Sequence, residues 1–354
     1  MQINLEHWKY KEYQVLQQTE NKYKIFIKNI IHFSIKIFII LIIVLRIIKT
    51  IGLSSLRMKQ TKKIYKKYNN KKGNKTTQYY SCFCSMGKKE NLYIRELISY
   101  YINLGVDKFV LGDNNLPNDE KFSDVLQDYI SNGTVDVIDI IGKSYDQSEY
   151  FEILYQKYKH KCDWLTFFDL DEYLVLYSDE GNKITINEFL SNKKFNKCSA
   201  ISFNWLMYGD NDLVYYDNRT SIERFTKPDY SNRHNRFIKS VVRGNLNGIV
   251  FRSNESCHMP QINVSQCDST GKLISHTDKI SPPIFRNGYI MHFNTRTAEE
   301  YTKKMIRGYP NNKFFRVSDR VNLFFYHNKL TKEKLRIFEK VFNRTFRVVS
   351  RHKN

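Results

Sequence analysis

The sequence predicts an α/β domain with a mostly parallel central sheet flanked by helices. Predicted strands begin near residues 79, 106, 135 and 164 and so recur every 27–29 residues. That spacing accommodates a strand, a crossover helix and two short loops, which is the connection that parallel neighbours require. The fourth strand, in the stretch WLTFFDLDEYLVL at 164–176, ends in three carboxylates. Because ligands bind at the carboxyl ends of parallel strands, these observations predict a site at that edge.

The elements follow from apolar spacing and from breaker residues. Short aromatic and apolar runs predict strands at 78–86, 106–111, 135–141, 164–168 and 200–208. Apolar residues at helical spacing predict helices at 90–104, 119–131, 147–160 and 298–307. Gly105 closes the first helix, and the second stops before Gly133. Residues 250–290 hold three of the six prolines and predict loops or short strands.

Positive charge is concentrated at the two ends of the chain. The formal net charge is +21, but residues 1–78 carry 17 Lys and Arg against 3 acids, and residues 329–354 carry 9 against 2. The remaining 79–328 hold 31 of each, so the body is neutral. A nucleic-acid enzyme would place its positive charge around its site. The pattern therefore predicts no nucleic-acid partner and favours basic ends that bind an anionic surface.

The N-terminal region is predicted to hold a membrane segment. Residues 30–48 contain 15 apolar positions in 19, with Lys36 and Arg46 inside the run. This is near the length that spans a bilayer, and it predicts a transmembrane or membrane-associated helix over 30–52. An interfacial amphipathic helix is the alternative. The segment follows a tail at 1–29 and precedes a basic linker or stem at 53–78.

The predicted single-pass orientation is open, because two signals disagree. Ten Lys and Arg lie between Lys49 and Lys75, which by the positive-inside rule places the body on the cytoplasmic side. Six N-x-S/T acceptor sites favour a lumenal domain instead. These sites are Asn74, Asn132, Asn218, Asn254, Asn263 and Asn343.

The six cysteines are too sparse for a disulfide scaffold and lack paired zinc spacing. We expect most of them to be buried thiols. A bridge between Cys257 and Cys267 is the alternative in an oxidising compartment.

Asp169 and Asp171 are the strongest candidates for metal ligands. An Asp-x-Asp pair at a strand end lets two carboxylates reach one hard cation while the intervening Leu170 points into the core. Oxygen ligands of this kind suit Mg²⁺ or Mn²⁺, which often bind substrate phosphates. The alternative is a turn whose carboxylates cap a helix or face solvent.

Several blocks in order resemble glycosyltransferase family 92. They are KKENLYIRELISYYINLGVDKFVLGDNN, Gln147, DWLTFFDLDEYLVL, NWLMYGDND, IERF, KSVVRG and MHFNTRTAEEYTKKMIRG, and they run from about residue 80 to 308. The resemblance implies a GT-A catalytic domain over 79–328, followed by a basic C-terminal helix or tail at 329–354. It also implies metal-dependent transfer of a hexose, galactose-like favoured, from a nucleotide-sugar donor to a glycan or other saccharide. UDP is the favoured carrier.

The same resemblance implies roles for individual residues. Asp169 and Asp171 would hold Mn²⁺ or Mg²⁺ at the donor diphosphate, and His292 would complete the metal shell. Residues in the donor pocket would be Glu90, Asp113, Asn114 and Gln147, with Lys239 or Arg243 contacting phosphate. One departure from the family is visible, since relatives often show Lys-Asn-Glu where this chain has Lys88-Lys89-Glu90.

The catalytic base is not determined by the sequence. An inverting transfer needs a carboxylate or histidine near the acceptor hydroxyl, whereas a retaining one needs none. Asp210 and Glu223 are the best candidates, because each follows an apolar block and enters a polar loop. Glu255 and His258 come next.

Two other function classes fit part of the sequence. A haloacid dehalogenase-type phosphatase also ends a strand in Asp-x-Asp, but there the motif lies on the first strand and is not followed by Glu. A degenerate or non-enzymatic membrane-tethered protein that binds glycans or anionic polymers explains the basic ends. It leaves the carboxylate cluster without a purpose, and metal-dependent UDP binding would separate it from an enzyme.

Overall fold

The computed structural model describes residues 77–141, 147–249, 251, 265–275, 277–308 and 316–348. The predicted tail at 1–29, the predicted membrane segment at 30–52 and nearly all of the predicted linker at 53–78 lie outside the described residues. Within the described ranges, no helix is both long enough and apolar enough to cross a membrane.

The first half of the domain is built from parallel βα units, as predicted. Its strands are β1 (Tyr79–Gly87), β2 (Lys108–Asp113), β3 (Val135–Asp139) and β4 (Cys162–Phe167). The helices between them are α1 (Asn91–Leu104), α2 (Phe122–Ser131) and α3 (Gln147–Tyr158). β1 pairs in parallel with β2 and β4, and β2 pairs in parallel with β3. The carboxyl ends of all four strands therefore meet at one edge.

The second half turns the sheet into a mixed one. It adds β5 (Glu172–Leu176), β6 (Ala200–Met207), β7 (Ile238–Arg243), β8 (Gln266–Asp268) and β9 (Gly288–His292). The strand order is β3-β2-β1-β4-β7-β6-β9-β5, with β8 beside β6. β7 is antiparallel to β4 and β6, and β5 is antiparallel to β9. The prediction of a mostly parallel sheet thus holds for β1 to β4, and the sheet as a whole is mixed.

Buried side chains cover both faces of the parallel strands. On one face Phe83 and Phe109 pack with α1 and α2, and on the other Cys84 and Val110 pack with α3. Burial on both faces explains why these strands read as nearly continuous apolar runs. Two short helices, α4 (Ile186–Ser191) and α5 (Ser221–Arg224), lie between the later strands in sequence.

Three helices close the described part of the chain. They are α6 (Ala298–Arg307), α7 (Val317–His327) and α8 (Lys332–Phe342). Tyr301, Phe324 and Phe338, one from each helix, are buried together in an apolar cluster. The segment predicted as a basic helix or tail therefore contains a helix that packs on its neighbours, and its Lys334 is buried.

Four cysteines form two disulfides, so the expectation of buried thiols is wrong for them. Cys82 is bonded to Cys162 and Cys198 to Cys267, with Cα–Cα distances of 6.0 and 5.7 Å. Both distances are in the range that a disulfide spans. Cys267 thus has Cys198 as its partner and not Cys257, which lies outside the described residues. Cys84 is a buried thiol, as predicted.

Candidate active site

The Asp-x-Asp motif lies in the turn between β4 and β5. Leu170 is only 4% exposed and packs in the core, as predicted, which leaves Asp169 and Asp171 on either side of it. The Ser85 hydroxyl donates to the carbonyl of Phe168 at 2.7 Å. The backbone N–H of Asp169 donates to Oε2 of Glu172 at 2.9 Å. The turn is therefore held by the core below it and by its own third carboxylate.

Gly87, the last residue of β1, allows Leu170 to reach this position. A Cβ atom on Gly87 would lie 2.4 Å from Cδ1 of Leu170 and 3.1 Å from Cζ of Phe122. Both distances are shorter than ordinary van der Waals contact. A side chain at residue 87 would consequently push Leu170, and with it the two aspartates.

Asp169 is held by side chains from two different elements. Its Oδ2 lies 2.9 Å from Nζ of Lys239 on β7, and its Oδ1 accepts from Nε2 of Gln147 at the start of α3. The Asp169 side chain is 33% exposed, whereas the Lys239 side chain is fully buried. The structure thus brings together Asp169, Gln147 and Lys239, three residues that the sequence analysis had assigned to the donor site.

Asp171 faces a different set of partners. Its Oδ2 lies 2.7 Å from Nζ of Lys304 on α6, and its Oδ1 lies 3.5 Å from Nε2 of His292 at the end of β9. Burial alone would raise the pKa of Asp171, but Lys304, His292 and Arg296 together hold that pKa well below its usual value. Asp171 is therefore a carboxylate anion at neutral pH.

Glu172 is the buried member of the three carboxylates. Its side chain is fully buried, and burial raises the pKa of Glu172 well above its usual value despite the opposing charge of Lys239. Oε1 lies 3.8 Å from Nζ of Lys239, too far for a hydrogen bond. Glu172 thus supports the turn through the Asp169 backbone.

The donor types around the turn fit a divalent cation, but their arrangement does not yet form a complete site. Two carboxylates and an imidazole are ligands that suit Mn²⁺. Nδ1 of His292 is buried and has no hydrogen-bond partner within the described ranges. Among those same residues, no group of three or more His, Cys, Asp or Glu side chains is placed to hold a metal ion. In this structure Lys239 and Lys304 neutralise the two aspartates.

Glu90 lies at the start of α1 and is bound by two arginines. Nη1 of Arg296 lies 3.2 Å from its Oε2, and Nη1 of Arg307 donates to its Oε1. Glu90 is 4% exposed. Its predicted place in the donor pocket stays a prediction.

Asp113 and Asn114 follow β2 in the adjacent loop. Oδ1 of Asp113 accepts from the backbone and side-chain nitrogens of Asn115 at 2.9 and 2.8 Å. Its Oδ2 accepts from the backbone N–H of Phe122 at 2.9 Å. Asn114 is half-buried, and its N–H donates to the Gly87 carbonyl at 3.0 Å. These contacts give Asp113 a local role at the start of α2, and its predicted donor contact stays untested.

Arg243 is not brought to this edge of the sheet. It lies four residues beyond Lys239 on the same strand, about 13 Å away at the usual rise per residue. Its Nε donates to the Cys198 carbonyl at 3.1 Å, and its guanidinium lies 4.0 Å from the ring centroid of Trp164. Lys239 is therefore the better placed of the two predicted phosphate contacts.

The two candidate bases each have a local structural partner. Asp210 is 2% exposed, and its Oδ2 lies 2.6 Å from Nζ of Lys334 on α8. Burial raises the pKa of Asp210, and Lys334 opposes that rise. Glu223 is exposed and accepts at 2.8 Å from both the backbone N–H and the hydroxyl of Thr220, which lower its pKa. Glu255 and His258 lie outside the described residues.

Three cationic side chains at this site were missed by the sequence analysis. Lys304, Arg307 and Arg296 had received no functional role from the sequence. In the structure they pair with Asp171 and Glu90. One signal was available, since Glu300, Lys304 and Arg307 have i, i+4, i+7 spacing and so share one face of α6.

A cavity of about 330 Å³ lies beside Lys304, between the start of α1 and α6. We call it the α1–α6 cavity. Among the residues that line it are Lys89, Tyr93, Arg296, Lys303, Lys304 and Arg307. Five of its twelve lining residues are basic and two, Glu120 and Glu300, are acidic.

The family model for glycosyltransferase family 92 matches residues 77–321. This chain belongs to glycosyltransferase family 92. The match covers more than half of the sequence and includes the Asp-x-Asp turn and α6. It confirms the predicted resemblance, and with it the assignment of the chain as a glycosyltransferase. The domain is mixed α/β, and its GT-A class stays a prediction.

Solved structures of S. aureus TarS are similar to this family 92 chain. Residues 1–349 of TarS match with 13% identity and a TM-score of 0.34, over 75% of this chain and 71% of that one. The same fragment in complex with UDP matches with 13% identity and a TM-score of 0.35, over the same shares. The complex with UDP-GlcNAc matches with 12% identity and a TM-score of 0.38, over 75% and 72%. A search of curated proteins found no match.

Proposed function

We propose that this chain transfers a hexose, galactose-like favoured, from a UDP-linked donor to a glycan or other saccharide acceptor. The observation that carries the proposal is the Asp-x-Asp turn at the carboxyl edge of the parallel strands, with Lys239 and Lys304 bound to its two carboxylates. The choice of a hexose and of UDP rests on the resemblance to family 92, whose known members include galactosyltransferases.

We include a divalent cation, Mn²⁺ or Mg²⁺, in this proposal. Asp169, Asp171 and His292 are the residues that would hold it, and the ion would offset the charge of the donor diphosphate. Lys239 and Lys304 lie within 2.9 Å of the two aspartates, so their ammonium groups are also within reach of a phosphate bound there. Gln147 would fix the orientation of Asp169 while the donor binds.

A second function, donor binding without turnover, is favoured by one observation. Both aspartates already have a lysine partner, which is also what a domain that binds a donor without turnover would show. Product formation separates the two proposals.

The test is a transfer assay with the full-length chain purified in detergent. Nucleotide sugars are incubated with a glycan array, with and without Mn²⁺, and release of nucleoside diphosphate is measured. Asp171→Asn should lower the rate by about 10²- to 10³-fold, the usual effect of removing a group that stabilises transition-state charge. Asp179→Asn is the control, because that aspartate lies in an exposed turn and pairs with Lys194.

Acceptor-dependent release of UDP that is lost in the Asp171 variant would support the enzyme. Donor binding without release would support the second function. Release at the wild-type rate by Asp171→Asn would contradict the assignment of the turn.

A further inference from the structure

The α1–α6 cavity adjoins the Asp-x-Asp turn on the Asp171 side only. Lys304 bridges the two, because it lines the cavity and its Nζ lies 2.7 Å from Asp171. The partners of Asp169 come instead from α3 and β7. The two carboxylates of the turn therefore face two different compartments of the site.

The wall of this cavity carries more positive than negative charge in its inner part. Arg296 and Arg307 share the single carboxylate of Glu90. Lys304 pairs with Asp171, and Glu300 pairs with Arg224. Among these buried groups, one guanidinium charge is therefore left without a carboxylate of its own, and Arg296 and Glu90 are nearly inaccessible to water. The other carboxylate of the wall, Glu120, is exposed and accepts from the backbone N–H of Asn91. A buried excess charge of this kind is costly unless an anion compensates it.

Arg296 also has unused hydrogen-bonding capacity. Its side chain is 7% exposed, and its guanidinium lies 3.4 Å from the ring centroid of Tyr93, another residue of the cavity wall. The N–H groups on Nε and Nη2 have no hydrogen-bond partner among the described residues. A planar guanidinium with free donors is suited to carboxylate, sulfate or phosphate oxygens.

We propose that the α1–α6 cavity binds the anionic group of an acidic saccharide acceptor. Arg307, with a side chain 17% exposed, contacts that group directly. Lys304, whose three N–H groups donate to Asp171 and Asn294, adds positive charge beside it. Arg296, which also lines the cavity, supplies the excess charge and its Nε and Nη2 donors. A volume of about 330 Å³ accommodates one charged sugar unit. The inference rests on the proposed function and adds the substrate class of the acceptor.

The position of the cavity favours the acceptor over the donor as the source of the anion. Of the predicted donor contacts, Gln147 and Lys239 gather at Asp169, away from α6. Glu90, which was also predicted to contact the donor, instead pairs with Arg296 and Arg307 of the cavity wall. An acceptor held between α1 and α6 would instead approach the turn from the Asp171 side. The two ligands would then meet across the Asp-x-Asp motif and bind together without competition.

The experiment is a calorimetric titration of the full-length chain with inorganic sulfate as the probe, in Mg²⁺ and saturating UDP. UDP is titrated first, and an absence of UDP binding would contradict the proposed function itself. With UDP bound, sulfate should bind saturably. Arg307→Gln should weaken sulfate binding about tenfold, because a charge-assisted contact and the excess charge are both lost.

Two further variants keep the test decisive. Glu90→Gln removes the carboxylate that competes for Arg296 and Arg307, so it should tighten sulfate binding several-fold. Lys332→Gln is the control for net charge, since this lysine is exposed on α8, and it should leave sulfate binding unchanged. Circular dichroism checks that each variant is folded.

Three outcomes would overturn the inference while leaving UDP binding intact. They are the absence of saturable sulfate binding, competition between sulfate and UDP, and equal sulfate affinities in Arg307→Gln and Lys332→Gln. Competition would assign the cavity to the donor instead.

Discussion

The close approach of Leu170 to Gly87 determines the positions of Asp169 and Asp171. Leu170 is buried under the turn, and the lack of a side chain at residue 87 leaves room for it. We expect Gly87→Ala to lower the free energy of unfolding by about 1–3 kcal/mol through overpacking, and to reduce transfer activity by more than the loss of folded protein explains. Thermal denaturation and the transfer assay measure the two effects.

A double variant serves as the control for this steric explanation. Leu170→Val shortens the side chain that the new methyl group would meet, so in the Gly87→Ala background it should restore part of the lost stability. If the double variant loses as much stability as the two single variants together, the contact between these residues is not responsible.

The ion pair of Asp171 predicts a specific pH dependence of stability. Its pKa is held well below the usual value, so the pair contributes at any pH above the unfolded pKa of about 3.9 and is lost as pH falls below that. Wild type should exceed Asp171→Asn by about 2 kcal/mol between pH 5 and 8, the usual size of a charged hydrogen bond. Denaturation by urea should show this difference narrowing below pH 4. A difference that narrows near pH 6 would contradict the assignment.

At this scale the sequence singled out the two aspartates and three groups beside them, namely Gln147, Lys239 and His292, but not Lys304 or Arg296. Asp169, Asp171 and the inward-facing Leu170 could be predicted, because strand alternation and a polar strand end are local signals. Lys304 and Arg296 are more than 120 positions away along the chain, and only the packing of α6 near α1 places them at the site. Local periodicity cannot report such a contact.

Among the elements, α8 is linked to the loop after β6 by one buried ion pair. Lys334 on α8 is fully buried and its Nζ lies 2.6 Å from Asp210. We expect Asp210→Asn to destabilise the protein by about 3–5 kcal/mol, because it leaves the buried ammonium group of Lys334 with only the exposed carboxylate of Asp212, 3.7 Å away. Thermal denaturation measures this loss, and the steady-state rate per folded molecule is measured beside it.

The same variant tests Asp210 as the catalytic base. The double change Asp210→Leu with Lys334→Met removes both charges and should recover much of the stability. If Asp210 has only a structural role, the rate per folded molecule should recover together with the stability. If the double variant is stable but inactive, Asp210 is the base. Glu223→Gln is the comparison, since its carboxylate caps α5, and it should cost about 1 kcal/mol or less.

The elements of the parallel half were predictable, whereas β5, β7, β8 and β9 were not individually predicted as strands. α1, α3 and α6 begin within one residue of their predicted positions, because their apolar spacing and end signals are strong. The antiparallel course of β7 was not foreseen, since a short apolar run such as IKSVVR has the same pattern in either direction. That direction places Lys239, and not Arg243, at the active edge.

For the molecule as a whole, the two disulfides bear on the open question of membrane orientation. Stable disulfides form in oxidising compartments and are rare in the cytosol. The acceptor asparagines Asn132, Asn218 and Asn343 are all exposed on the described surface. We therefore propose that the catalytic domain lies on the lumenal side, against the positive-inside prediction. The membrane segment itself stays a prediction.

Expression in eukaryotic secretory cells tests this orientation. The full-length chain should carry N-glycans, so glycosidase treatment should increase its mobility on a gel. Asn132→Gln, Asn218→Gln and Asn343→Gln should each remove one increment. Reduction with dithiothreitol should lower the melting temperature, since removal of a native disulfide typically costs about 2–5 kcal/mol. If the chain is not glycosylated and dithiothreitol does not change its melting temperature, the domain lies in the cytosol.

Thermal denaturation of the full-length chain with UDP, in the presence and absence of Mn²⁺, tests most directly whether the Asp-x-Asp turn binds a nucleotide donor. UDP at about 100 times its dissociation constant should stabilise the folded protein by about 2.7 kcal/mol. We predict a rise in melting temperature that requires Mn²⁺ and disappears in Asp169→Ala but not in Asp179→Ala. No shift with UDP or any other nucleoside diphosphate, or an equal shift in Asp169→Ala, would contradict the assignment of this turn as the donor site.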